Sequence, residues 1–353
     1  MKSKSLSNKI LKTIKSRGFK FIELPPVIEA SHILQRSGEN FRKYLFSFNN
    51  SEGKEFALNP DLSLSAILYY AKKDVDKREK IFYSGNAFRK SYNNKKTVID
   101  QIGIEIFSSK DENKDDKEIV DTSIKMLKTS GFKKAIIKIG NFKLFELLIR
   151  KLPVVPRWQN RLIKFYWNEK YFSELLKRLE SNLDIDPFVV SADHKIYLKM
   201  KKDSPNRMIA GRSYKEILSR YESKVINPRT TKTGKYSAKI IKEFLKIKTS
   251  LKDAPDQLNK FFKKYNLNIF VGKDFFPITN FSQKNLKYEF SASNGRGKEV
   301  EYYDSFNFSI DVKLKKKTKT YIAGGRYNNM AQKNLGLKKI PAVGAAVNFG
   351  VYE

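Results

Sequence analysis

The sequence predicts an α+β fold, a mostly antiparallel sheet flanked by helices, with a helical insert at about residues 153–280. Three observations carry this expectation. Residues 81–89 and 97–107 alternate as two long strands around a polar loop, and strand patterning returns at 288–292, 299–312 and 320–323. Apolar residues elsewhere recur at helical spacing, beginning with Leu6, Ile10 and Ile14. From Pro153 onward short amphipathic stretches dominate and strand signals fade until about Asn280.

Taken in order, a first helix from about Leu6 leads into a short strand over Phe19–Leu24, which Pro25 and Pro26 end. Phe41–Phe48 and Glu55–Leu58 read as a hairpin around Asn49, Asn50 and Gly53, and a helix begins near Ser63. After the strand pair and the charged run at 110–117 come a helix closing by Gly131, a strand over Ala135–Ile139 and a helix over Phe142–Lys151. Ser213 and Glu216 form a capping box that starts a helix, and periodic stretches cover Ser237–Ile247 and Asp256–Tyr265. The small-residue run Pro341–Phe349 is read as a last helix.

Composition narrows the chemistry. The 353-residue chain has no cysteine, which excludes disulfides, thiolate metal sites and a thiol nucleophile, and is compatible with a cytoplasmic location. The two histidines, His32 and His194, stand outside any metal motif, so no metal site is expected. No apolar run approaches 18 residues, so no membrane-spanning helix is expected. The N-terminal segment is basic and amphipathic, as a transit peptide would be, but runs without a linker into a strand and is read as the first helix of a domain. The net charge of +34 is spread through lysine-rich loops with acids interspersed, so nucleic-acid binding is not expected from it.

The strand faces are more informative. Side chains alternate along a strand, so Gln101, Gly103 and Glu105 share one face while Ile102, Ile104 and Ile106 take the other. The amide and the carboxylate would stand ~13 Å apart with open floor at the glycine between them. On the preceding strand Tyr83, Gly85, Ala87 and Arg89 share a face, and later Tyr303, Ser305 and Asn307 do. Small gaps among Gln, Glu, Arg and Tyr predict a pocket for a small zwitterion: Glu105 for an ammonium or imidazolium N–H, Arg89 for an anionic group, Gln101 and the tyrosines for polar contacts.

In order, Gly18-Phe19 through Pro25-Pro26 and Glu29, then 58–63 (LNPDLS), Phe88-Arg89 with 100–107 (DQIGIEIF), Glu301-Tyr302-Tyr303, and 323–327 (AGGRY) resemble the class II histidyl-tRNA synthetase catalytic core. The resemblance implies a histidine pocket of Asp61, Ser63, Gln101, Glu105, Tyr303 and Tyr327, with Arg89 on the carboxylate side. The third class II motif departs from the pattern. Its arginine should grip ATP, yet Pro341-Ala342-Val343-Gly344 leads to Asn348, Phe349, Gly350 and Val351, with no arginine after Arg326. Loss of such a charge-assisted contact removes ~1.5–3 kcal/mol, or one to two orders of magnitude in binding or rate. The arginine expected before the tyrosine pair is represented by Arg296, two residues too far upstream.

This combination, with no anticodon-binding domain expected within residues 1–353, is similar to the regulatory subunits of ATP phosphoribosyltransferase. The segments around 140–145, 156–162 and 209–220 resemble that family too. The resemblance implies a chain without catalytic residues or cofactors of its own. It would bind histidine and the short-form catalytic subunit, activating that subunit and mediating feedback inhibition in the first step of histidine biosynthesis. A homodimer within a larger hetero-oligomer is implied. The competing expectation is a divergent, truncated synthetase paralogue that activates histidine.

Overall fold

The computed structural model describes residues 2–37, 39–73, 77–90, 97–108, 110–181, 187–203, 208–209, 212–226, 231–277, 285–297, 303–314 and 317–349. The first part holds α1 (Lys2–Lys15), β1 (Lys20–Phe21), β2 (Val27–Glu29), α2 (Ala30–Ser37), β3 (Ser47–Asn49), β4 (Glu55–Leu58), α3 (Leu62–Ala71), β5 (Glu79–Phe88) and β6 (Val98–Phe107). Next come α4 (Glu112–Thr129), β7 (Ala135–Asn141), α5 (Phe142–Lys151), α6 (Pro156–Phe165), α7 (Glu169–Glu180) and α8 (Pro187–Asp203). A short ladder of β8 (Met208–Ile209) and β9 (Arg212–Ser213) precedes α9 (Tyr214–Ile226), α10 (Thr231–Leu245), β10 (Lys248–Ser250) and α11 (Ala254–Lys264). The chain then adds β11 (Leu286–Ser291), β12 (Phe306–Leu314), β13 (Lys317–Arg326) and β14 (Ala342–Asn348).

Nine strands join in the order β1-β5-β6-β14-β13-β12-β7-β11-β10. Only β1 with β5 and β11 with β7 pair in parallel, so the sheet is mostly antiparallel as its patterning predicts. Pairing aligns Ile102 with Val347, Ile104 with Ala345 and Ile106 with Val343. These join Ile119, Val120 and Ile124 of α4 and Ile10 and Ile14 of α1 in one buried cluster. The opposite face carries Gln101, Gly103 and Glu105, then Gly344 and Ala346, then Ala323 and Gly325, then Asn307 and Ser309. One side of the sheet is therefore the hydrophobic core, and the other is a floor of small and polar residues.

Residues 156–264 are mainly helical. Trp158, Phe172, Leu175, Leu179, Ile240, Phe244, Leu258 and Phe262 are all buried in the main cluster, and β10 returns to complete the sheet edge against β11. The cap at Ser213 is present: its Oγ accepts from the Glu216 N–H at 3.2 Å, and α9 starts at the next residue, Tyr214.

Several expectations change. Residues 342–348 are not a helix but β14, inserted between β6 and β13. Val343, Ala345 and Val347 are buried on the core side, and on the other side a Cβ on Gly344 would stand 2.9 Å from the Ile104 carbonyl oxygen. Residues 39–44 form a 3-10 turn, so of the strand expected over 41–48 only the end, within Ser47–Asn49, pairs with β4, whose other edge takes β2. The strand expected over 19–24 shortens to two residues. The strand expected from 299 begins at Phe306, with Glu301, Tyr302 and the polar loop at 91–96 outside the described residues. Also outside them lie Ala210, Gly211, Gly350 and Val351.

Candidate functional site

Glu105 sits in the middle of β6, paired with Ile81 on one side and Gly344 on the other. Its side chain is fully buried and lies on the bare backbone of Gly344, where an added Cβ would stand 1.4 Å from Oε2. The Tyr83 hydroxyl donates to Oε1 at 2.8 Å and the Tyr327 hydroxyl to Oε2 at 2.5 Å. Ser63 Oγ is 3.0 Å from the Tyr83 hydroxyl. Burial pushes the Glu105 carboxyl up to about 7, against the pull of the hydrogen bonds from Tyr327, Ser63 and Tyr83, and the charge of Asp61 adds to the rise. A carboxyl so placed changes protonation near neutral pH and can bind a cation or an N–H donor that supplies the missing positive charge.

Tyr83, which alternation puts on the pocket face, is not part of the histidine pocket that the resemblance implies. Register puts it opposite Gly103, and its ring covers that glycine so closely that a Cβ there would be 2.2 Å from Cζ. The open floor expected at Gly103 is therefore occupied. Strand alternation gives the face of a side chain but not how far a neighbour's ring leans across.

The other expected residues take distinct places. Asp61 caps α3, accepting from the N–H groups of Ser63 and Leu64 at 3.1 and 3.3 Å, and so fixes the turn that carries Ser63. The same turn is braced by buried Asn59, whose amide donates to Pro25 O at 3.2 Å and Ser65 Oγ at 2.7 Å. Arg89 is exposed, and its Nε donates to Pro60 O at 2.8 Å, tying the end of β5 to that turn. Gln101 is half-buried, paired with Gly85, two residues along the strand from Gly103. Tyr303 is buried over Gly325, 2.7 Å from where a Cβ would be, with its ring edge-on to Trp167 at 6.3 Å. Ser63, Glu105 and Tyr327 thus meet with Tyr83 in one network, Asp61 flanks it, Tyr303 stands over β13, two strands across from β6, and Gln101 and Arg89 lie toward the far end of the face.

Arg326 is buried in an ion pair: its Nε and Nη2 donate to Asp116 Oδ1 at 2.9 and 2.6 Å, and Nη1 donates to Asn328 Oδ1 at 3.1 Å. Its guanidinium is structural. Among the described residues no group of three or more His, Asp or Glu side chains could hold a metal ion, and no helix is long and apolar enough to cross a membrane.

A family model described as "Histidyl-tRNA synthetase" matches residues 1–204. An "ATP phosphoribosyltransferase regulatory subunit" of Allorhizobium ampelinum is 24% identical over 351 residues, covering 95% of this chain and 93% of that protein. A "Histidine--tRNA ligase" of Methanocaldococcus jannaschii is 25% identical over 352 residues, covering 99% of this chain and 70% of that protein. A crystal structure of an "ATP phosphoribosyltransferase regulatory subunit/histidyl-tRNA synthetase" from Bacillus halodurans superposes with a TM-score of 0.56 at 17% identity, covering 99% of this chain and 77% of that one. The fold is that of the class II synthetase core, a large antiparallel-dominated sheet flanked by helices.

Proposed function

The chain belongs to the histidyl-tRNA synthetase family, and from that premise we propose that it is a non-catalytic regulatory subunit of ATP phosphoribosyltransferase that binds histidine at the Glu105 face. Similarity to relatives of that name, running through nearly the whole chain, supports the partner. The observation that carries the ligand is the buried Glu105 carboxyl held between two tyrosine hydroxyls. An imidazole N–H would replace the Tyr83 hydroxyl at Oε1, with Tyr83 swinging off Gly103 to make room. Gln101, Asp61 and Ser63 would receive the ammonium end and Arg89 the carboxylate.

Activation of histidine by ATP is not part of this reading. Arg326 is spent on Asp116, and Phe349 follows β14 where the family motif calls for an arginine. A regulator needs only differential binding: histidine inhibits if it favours one state of the complex over another, with a coupling of ~1–3 kcal/mol sufficing for 5–150-fold control.

The test is co-elution with a short-form catalytic subunit on size exclusion. Migration as two separate species at micromolar concentrations, with and without histidine, would reject the partner. The second reading, a synthetase that activates histidine, draws on the similarity to the archaeal ligase, and it predicts histidine-dependent exchange of pyrophosphate into ATP.

A further inference from the structure

Tyr327, which donates to Glu105, stands between two residues that are tied to α4 on the opposite side of the sheet. Arg326 holds Asp116 Oδ1 through Nε and Nη2, and Nη2 also donates to the Glu112 carbonyl oxygen at 3.0 Å. The Asn328 amide donates to Glu112 Oε1 at 2.7 Å, while its Oδ1 accepts from Arg326 Nη1 at 3.1 Å and from the Ala342 N–H at 2.9 Å. The Tyr327 N–H itself donates to the Ala342 carbonyl oxygen at 2.8 Å. The first two turns of one helix therefore grip the segment on both sides of the tyrosine.

The other tyrosine of the face hangs on the same segment. Asp304, next to Tyr303, donates its N–H to the Arg326 carbonyl oxygen at 3.0 Å, and its Oδ2 accepts from the Asn329 N–H at 2.7 Å. Arg326, Asp116 and Asn328 are buried, whereas the Glu112 side chain is 51% exposed. Ile119, Val120 and Ile124 already pack α4 against the sheet, so the helix does not need this network for burial. A buried ion pair adds little stability over apolar packing, but its bonds are directional and fix the position of what carries them. A hydroxyl bonds a carboxylate only within a few tenths of an ångström, so Tyr327 is the group that such fixing serves.

We propose that Arg326, Asn328, Asp116 and Glu112 are positioning residues of the Glu105 site: from the far side of the sheet they hold the Tyr327 hydroxyl on Oε2 and so set how tightly the site takes its ligand. This assignment rests on Glu105 as the histidine acceptor. The Tyr327 hydroxyl favours the ionised carboxylate and aims it, so slack in the 326–328 segment leaves Glu105 more readily protonated and a poorer acceptor for an imidazole N–H.

The test is calorimetric titration of the full chain with histidine. Asn328→Ala should weaken binding about fivefold or more, within reach of one hydrogen bond to a charged group. Glu112→Ala, at a half-exposed side chain, should remain folded even if Asn328→Ala does not, and should shift affinity in the same direction. In a Tyr327→Phe background neither change should weaken binding further, because the hydroxyl through which they act is gone. Glu118→Gln, which loosens α4 from Arg78 and Lys80 without touching residues 326–328, should leave affinity unchanged. Unaltered affinity in Asn328→Ala and Glu112→Ala, or the same weakening with Tyr327→Phe as without it, would overturn the proposal. A parent chain that takes no histidine would reject the ligand reading instead, and the Glu105 carboxyl of the ligand-free protein then decides. Followed by NMR of carbon-13 glutamate against Glu105→Gln, it should titrate at higher pH in Asn328→Ala and Glu112→Ala than in the parent, and an unshifted titration would overturn the coupling.

Discussion

Oε2 of Glu105 occupies the space that a β-carbon at position 344 would need, so the carboxylate and Gly344 form a matched pair across β6 and β14. The glycine lets a charged side chain lie flat against the sheet, where Tyr327 and Tyr83 close over it. Gly344→Ala should therefore displace the carboxylate, and the added methyl would also stand 2.9 Å from the Ile104 carbonyl oxygen. A loss of about 1–3 kcal/mol in urea unfolding is expected. An unchanged midpoint would mean that Glu105 does not rest there.

Glu105 also sets a pH dependence with a definite sign. Its carboxyl rises from 4.5 to about 7 on folding, so the folded state holds a proton that the unfolded chain releases, and stability from this group falls as pH rises through that window. Glu105→Gln, which keeps the shape and cannot ionise, should gain on the parent between pH 5 and pH 8 by up to about 3 kcal/mol. Urea unfolding of both proteins at the two pH values measures this, and parallel curves would contradict it. Asp116, also raised by burial, to about 6, contributes the same sign to both proteins and cancels in the comparison.

Arg326→Ala should leave Asp116 buried beside Asp115 and Glu112 without its cation. Breaking one partner of such a pair costs about 3–5 kcal/mol. A thermal midpoint within a degree or two of the parent would show that this guanidinium is not structural.

Tyr83→Phe keeps the ring over Gly103 and removes the donor to Glu105 Oε1. The variant should be less stable by about 1–3 kcal/mol at pH 8, where the carboxylate is charged, and by less at pH 5. Equal losses at both values would mean that the hydroxyl does not serve the carboxylate.

Alternation alone placed Gln101, Gly103 and Glu105 on one face and their isoleucine neighbours in the core, because a period of two is a local property. The covering of Gly103 by Tyr83 was not legible, since it depends on the lean of one ring across the β5–β6 register. Residues 342–348 form a strand where a helix is expected, because alanine, glycine and valine in so short a run suit either, and only the gap between β6 and β13 decides. Asp116 meets Arg326 across 210 residues of sequence and Glu112 meets Asn328 across 216, which no local pattern encodes.

In the proposed function this fold recognises histidine in order to regulate a partner. The most direct measurement is the phosphoribosyltransferase rate of a short-form catalytic subunit, alone and with this chain, across a histidine titration. A rate that rises with the chain, falls with histidine, and loses that histidine response in Glu105→Ala is the predicted result. An unaltered partner rate, together with histidine-dependent pyrophosphate exchange into ATP by this chain alone, would contradict it.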